Sequence, residues 1–232
     1  NSQKDFKKNL GICKHNGLYE SDIRPVQKVL ERDYLNIDPP KLQTAFFDIE
    51  VDFDPTRGYS SPEDAFSPIT SIGVYLQWMD AMICLAVPPK TLTWEQAHEV
   101  AGPLSEVKLF RTEKEMLDVF LNVIEDADVL SGWNSESYDI PYTINRIIRT
   151  MGKSETRRMC LLKKLPKERK FVQYGKETQS FDLVGRVHLD YLELYRKYNY
   201  EERHSYRLDY IGEMEVGEKK VVYEGSLAFL FL

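Results

Sequence analysis

The sequence predicts a mixed α/β fold with a central sheet flanked by helices. Short runs of β-branched, aromatic and apolar residues recur from Lys41 onward, and stretches with apolar residues at helical spacing alternate with them. With 232 residues, 42% of them hydrophobic, the chain can bury a sizeable core.

Taken in order, residues 1–40 are polar and end at Asp38-Pro39-Pro40, two prolines that oppose both helix continuation and central-strand pairing. A boundary is expected there, with 41–232 as the main domain. Strands are expected over 44–51, 70–78 and 81–87, the last two joined as a hairpin through Met79-Asp80. Residues 112–127 read as a helix opened by the capping box Thr112-x-x-Glu115, with Met116, Leu117, Phe120, Leu121 and Ile124 on one face. A short strand from Val129 runs into the Gly132-Trp133-Asn134 turn, and 140–151 forms a second amphipathic helix ending at Gly152. A strand over 184–189 and helices over 191–198 and 206–214 complete the pattern.

Composition excludes several classes. A formal net charge of −6 argues against gripping duplex nucleic acid through bulk electrostatics, leaving a local patch or metal ions as the route. Cys13, Cys84 and Cys160 lie far apart without a CxxC pair, so neither a disulfide framework nor a zinc ribbon is indicated. No phosphate-cradling Gly pattern is present, and no apolar run has the length to span a bilayer. The chain begins Asn-Ser-Gln without an initiator Met and reads as a fragment of a soluble, cytoplasmic protein with no membrane partner.

The chemistry concentrates in two segments. In Phe46-Phe47-Asp48-Ile49-Glu50, positions i and i+2 of a strand share a face, so Asp48 and Glu50 project side by side while Phe47, Ile49 and Val51 face the other way. Two adjacent carboxylates on a largely buried strand are costly unless protons or cations offset them, and Mg2+ or Mn2+ favours such oxygen ligands. Two other readings stand beside this one: a solvated strand tip next to Asp52 and Asp54, and a glycosidase acid pair, for which no sugar-stacking pattern lies nearby. In the second segment, Gly132-Trp133-Asn134-Ser135-Glu136-Ser137-Tyr138-Asp139-Ile140-Pro141-Tyr142, Asp139 reads equally as an N-cap, and Pro141 suits a first helical turn.

Together these segments resemble the first and second exonuclease motifs of family B DNA polymerases. The likeness continues through Leu189-Asp190-Tyr191-Leu192-Glu193-Leu194-Tyr195, 205–211 and Gly217-Glu218-Lys219-Lys220, and is to polymerases of T-even-like bacteriophages. The resemblance implies a ribonuclease-H-like (DnaQ-like) fold that proofreads DNA in replication by hydrolysing the 3′ end with two metal ions, Mg2+ or Mn2+. It implies that Asp48 bridges both ions, that Glu50 binds the one holding the attacking water and that Asp139 holds the other. It casts Asn134 as a hydrogen-bonding partner of the terminal nucleotide, or a structural turn residue. Phe47 and Tyr138 become candidates for stacking on frayed bases, or packed side chains. Residues 1–40 become the remnant of a polymerase N-terminal domain or a linker. Implied partners are the single-stranded 3′ end of primer-template DNA, the downstream polymerase region and, in the parent, a sliding clamp, all in the cytoplasm of an infected host cell.

The sequence also departs from that family. A third motif, Tyr-x-x-x-Asp, is expected beyond Tyr223-Glu224-Gly225-Ser226, but Leu227-Ala228-Phe229-Leu230-Phe231-Leu232 stands there instead. Tyr34-Leu35-Asn36-Ile37-Asp38 has the right letters in the wrong place. Weak metal binding and little or no hydrolysis by this chain alone are therefore expected, with Phe229 and Phe231 as self-association risks. The competing function is a catalytically silent nucleic-acid-binding or scaffold module of the same fold. A basic run, Arg157, Arg158, Lys163, Lys164, Lys167, Arg169 and Lys170 with Phe171 and Tyr174 just beyond, reads as a solvated loop or a track for a DNA backbone. The four histidines show no metal-ligand spacing. His188 reads as packed or hydrogen-bonded, and Asp190 as the cap of the helix that follows or a residue near the cleft.

Overall fold

A computed structural model describes residues 3–13, 23–173 and 175–219. The chain divides into two compact units, 1–41 and 42–232. In the first, α1 (Gln3–Cys13) and α2 (Pro25–Tyr34) are helices the polar sequence did not announce. Pro25 sits at the start of α2, where its missing N–H costs nothing, and α2 buries none of its side chains.

The second unit is built on a six-stranded mixed sheet of order β4-β3-β2-β1-β5-β8. Its strands are β1 (Thr44–Val51), β2 (Ile69–Leu76), β3 (Ala81–Ala86), β4 (Val107–Leu109), β5 (Val129–Gly132) and β8 (Val187–Asp190). β1, β2 and β3 form an antiparallel meander, with Asp80 at φ 48° in the β2–β3 turn. β5 lies parallel to β1, β8 parallel to β5, and β4 parallel to β3. The expected mixed sheet with flanking helices is the observed architecture. β8 starts three residues later than expected, because Gly185 turns the chain at φ 87° and Arg186 points inward.

The helices follow from their caps and apolar faces. α3 (Trp94–Ala101), not anticipated, is opened by Thr93, whose hydroxyl accepts the Gln96 N–H while the Gln96 side chain accepts the Thr93 N–H. α4 (Glu113–Val123) uses the expected Thr112–Glu115 box. Its Met116, Leu117, Phe120 and Leu121 pack with Phe47 and Ile49 of β1, Ile72 and Val74 of β2, and Ile140, Ile144 and Ile147 of α5 (Asp139–Thr150). Burying such side chains contributes about 1.5–3 kcal/mol each. α6 (Tyr191–Tyr198) and α7 (Leu208–Val216) close the described chain.

Two buried arginines lock this core. Arg146 on α5 makes a fork with the Glu113 carboxylate, Nε donating to Oε1 at 2.8 Å and Nη2 to Oε2, while Nη1 donates to the Ala65 carbonyl at 2.9 Å. Arg186, 5% exposed, donates to the carbonyls of Ala127 (2.7 Å), Met159 (3.0 Å), Ile124 (2.7 Å) and Glu125 (2.9 Å). It thereby ties the turn that follows α4 to the end of the 153–159 segment.

The basic run is a loop only at Lys163 and Lys164; the rest of it lies in regular elements. Residues 153–159 form a 3-10 helix, and β6 (Lys167–Gln173) pairs with β7 (Lys176–Asp182) in a separate antiparallel hairpin. Acids neutralise much of the run: Arg158 pairs with Asp118, Lys163 with Glu125, Arg169 with Glu136 and Asp182, and Lys170 with Glu177. Tyr174, Lys220 and 221–232, including the Tyr-Glu-Gly-Ser segment, Phe229 and Phe231, lie outside the described residues.

Candidate active site

β1 presents its carboxylates as the alternation requires. Phe47 and Ile49 are buried, while Asp48 and Glu50 are exposed on the opposite face. The strand runs on to Val51, so the acids are not at its tip, but both reach solvent as the solvated-tip reading expected, and the burial cost argued for the pair does not fall on them. Across the antiparallel ladder Asp48 faces Gly73 and Glu50 faces Ser71, residues too short to cover them. A register shift between Glu50 and Val51 then bends the strand away.

Asp139 is the buried acid, 3% exposed. The helix N-cap is Tyr138, and no side chain caps this end, so the capping role considered for Asp139 is not the one it plays. Its Oδ1 instead accepts the Ile49 N–H at 3.2 Å, which places the carboxylate against the backbone between Asp48 and Glu50. Burial, followed by the negative charge of Asp48, pushes Asp139 up to about 8; the Ile49 N–H pulls the other way.

The turn between β5 and α5 is held close to β1. A Cβ on Gly132 would lie 2.6 Å from the Phe47 carbonyl oxygen and 2.9 Å from the Ser135 Cβ, so only glycine permits the approach. Asn134 follows at φ 62°, and its carbonyl accepts the Ser137 and Tyr138 N–H groups at 3.2 Å each. The Trp133 indole N–H donates to the Tyr206 carbonyl at 3.0 Å, joining this turn to the segment before α7.

Asp48, Glu50, Trp133, Asn134, Tyr138 and Asp139 line one cleft of about 740 Å3. Its other wall is Leu208, Asp209 and Gly212 of α7, with Glu218 and Lys219 just beyond. Tyr138 is partly buried, its ring 5.4 Å from that of Tyr142. Burial, then the charges of Tyr142, Asp139 and Glu50, push its hydroxyl up to about 12, so it stays a neutral donor. Of the two readings of Phe47 the packed one holds and the stacking one is corrected: at 3% exposure its ring packs 5.6 Å from Phe120 in the core and is not presented to a base.

Sequence reasoning placed Asp190 as a cap or near the cleft but missed how β8 holds the 134–136 turn. Asp190 does cap α6, its Oδ1 accepting the Leu192 N–H at 2.9 Å, but the carboxylate also accepts the Asn134 and Glu136 N–H groups. His188, which burial biases towards its neutral form, meets the Ser135 hydroxyl at 2.9 Å. The i, i+2 spacing of His188 and Asp190 was the available signal.

The donor set is carboxylate oxygen, the chemistry of Mg2+ and Mn2+. Among the described residues no three ligand-type side chains converge into a preformed cage. An ion that binds through one or two carboxylates and completes its shell with water and substrate phosphate oxygens still fits this cleft.

Such a domain, with an acidic cleft built from the middle of its sheet and the adjoining helix, has the ribonuclease-H-like exonuclease fold. The profile described as DNA polymerase family B, exonuclease domain, matches residues 15–211, and the chain belongs to that family. It is 32% identical to the DNA-directed DNA polymerase of Escherichia phage RB69 over 215 residues, covering 84% of this chain and 24% of that protein. It is 31% identical over 121 residues to that of Enterobacteria phage T4, covering 51% and 13%. It is 28% identical to the DNA polymerase delta catalytic subunit of Bos taurus, covering 80% and 17%. The chain thus spans about a quarter or less of the length of these relatives. Domains of this family generally depend on divalent metal ions. No described helix is long and apolar enough to cross a membrane.

Proposed function

We propose that this chain trims DNA from its 3′ end by metal-assisted phosphodiester hydrolysis, as the proofreading part of a DNA polymerase. One observation carries the reading: the Asp139 carboxylate, fastened to the Ile49 N–H, shares a cleft with Asp48 and Glu50. Asp48, Glu50 and Asp139 would hold Mg2+ or Mn2+, two ions in the intact enzyme. Such ions, when bound, lower the pKa of a coordinated water and offset charge developing on the phosphate.

The chain's own groups do the rest. Asn134 offers its side-chain amide to the terminal nucleotide, and Tyr138 offers a neutral hydroxyl and a ring edge at the cleft wall. Asp139, buried and charge-opposed, is poised to take up a cation in exchange for a proton. Residues 1–40 are assigned to the end of a polymerase N-terminal domain and 41–232 to the exonuclease domain. The whole protein's partners would be primer-template DNA, the polymerase region and a sliding clamp, in the cytoplasm of an infected cell.

The test is shortening of a 5′-labelled single-stranded DNA by the purified chain in Mg2+ and in Mn2+, beside Asp48→Ala. Weak metal-dependent shortening from the 3′ end, abolished in the variant, is expected. Strand binding by both without shortening by either favours the silent binding module.

A further inference from the structure

We propose that Asp190 is a positioning residue for this site, acting through the backbone of the 134–136 turn to aim Asn134 into the cleft; the inference rests on the nuclease reading of that cleft. Asp190 is the last residue of β8 and stands in register with Gly132, the last of β5, so its side chain emerges where β5 gives way to the turn. It is 6% exposed, and both oxygens are used on the turn: Oδ1 accepts the Asn134 N–H at 3.0 Å and Oδ2 the Glu136 N–H at 2.9 Å. Capping α6 needs only the Leu192 N–H, so helix capping leaves these two bonds unexplained.

The clamp fixes a conformation that the turn needs. Asn134 occupies the left-handed region, φ 62°, which Asn tolerates better than most L residues and which the two bonds to Asp190 hold in place. The flanking residues are pinned as well. Ser135 meets His188 on the same face of β8, and the Glu136 carboxylate accepts from Arg169 at 2.8 Å and Ser180 at 3.1 Å on the hairpin. What remains for Asn134 is its side chain, which lines the cleft with Asp48, Glu50 and Asp139. The Asn134 and Ser135 carbonyls accept the Tyr138 and Ile140 N–H groups, so the same clamp sets where α5, and with it Asp139, begins.

The test is anisotropy titration of a 5′-fluorescent single-stranded oligonucleotide, its last linkage a phosphorothioate, in Mg2+. The chain is compared with Asn134→Ala, Asp190→Ala, the double variant, and Asp48→Ala, with melting midpoints recorded for each. Asn134→Ala and Asp190→Ala should each weaken binding roughly tenfold, as loss of a hydrogen bond to a charged or terminal group does, and the double variant no further. Asp190→Asn, which keeps the oxygen serving Asn134 and Leu192, should fall between and guards against a misfolded alanine variant. Binding by Asp190→Ala and Asp190→Asn equal to wild type, or losses that multiply in the double variant, overturn the proposal. Equal binding by wild type, Asp48→Ala and Asn134→Ala overturns the nuclease reading itself, and the role of Asp190 falls with it.

Discussion

The Oδ1 of Asp139 accepts the backbone N–H of Ile49 at 3.2 Å, tying a helix N-terminus to the middle of the strand that bears Asp48 and Glu50. The acids are thus joined by backbone, so the site's geometry and the core's packing are one structure.

Burial and Asp48 hold Asp139 at about 8, above its ordinary 3.8. A carboxyl raised in the folded state gives stability that is complete below the unfolded value and lost as pH rises through the folded one. In chelator-containing buffer, Asp139→Asn should therefore be more stable than wild type by a few kcal/mol near pH 8, as an order-of-magnitude figure, and indistinguishable near pH 4. Urea denaturation across that range measures it; parallel curves would show that Asp139 carries no such strain.

The Arg146–Glu113 fork should cost about 3–5 kcal/mol when one partner is removed, because the survivor is left buried and charged. Arg146→Met and Glu113→Met, compared with the double variant by chemical denaturation, should show the double losing less than the sum.

Gly132→Ala should destabilise by roughly 1–3 kcal/mol, since the new Cβ meets the Phe47 carbonyl and cannot be relieved without moving β1. Gly73→Ala is the control: its Cβ would meet only the Met82 Cε at 3.7 Å, and its melting midpoint should barely change.

Arg186→Lys should lose about 2–4 kcal/mol in the same assay despite keeping the charge. An ammonium cannot span the four carbonyls that the guanidinium serves.

Most of the sheet was legible because β1, β2 and β3 alternate or run apolar between clear turns, while the three-residue β4 was too short to show a period and was not expected; α4 was legible because Thr112 and Glu115 are spaced as a box. The hairpin was hidden: Lys167–Gln173 and Lys176–Asp182 form a two-stranded ribbon outside the main sheet, so charges line it and blur the period of two. α3 carried a readable signal in Thr93 and Gln96, and α2 one in Val26, Val29, Leu30 and Tyr34 at helical spacing behind Pro25, which the surrounding polar residues masked. At the site, spacing put Asp48 and Glu50 on one face. The turn of Asp139 toward Ile49 rather than its own helix end, and the reach of Asp190 across from β8, depend on contacts between residues far apart in sequence. Local patterns encode none of these.

One divalent-metal site shared by Asp48, Glu50 and Asp139 is measurable by titrating Mn2+ into the purified chain and following the electron paramagnetic resonance of the free ion. Binding, even if weak, that each of Asp48→Ala, Glu50→Ala and Asp139→Asn reduces is expected. Binding left unchanged by all three substitutions would show that these carboxylates hold no common ion.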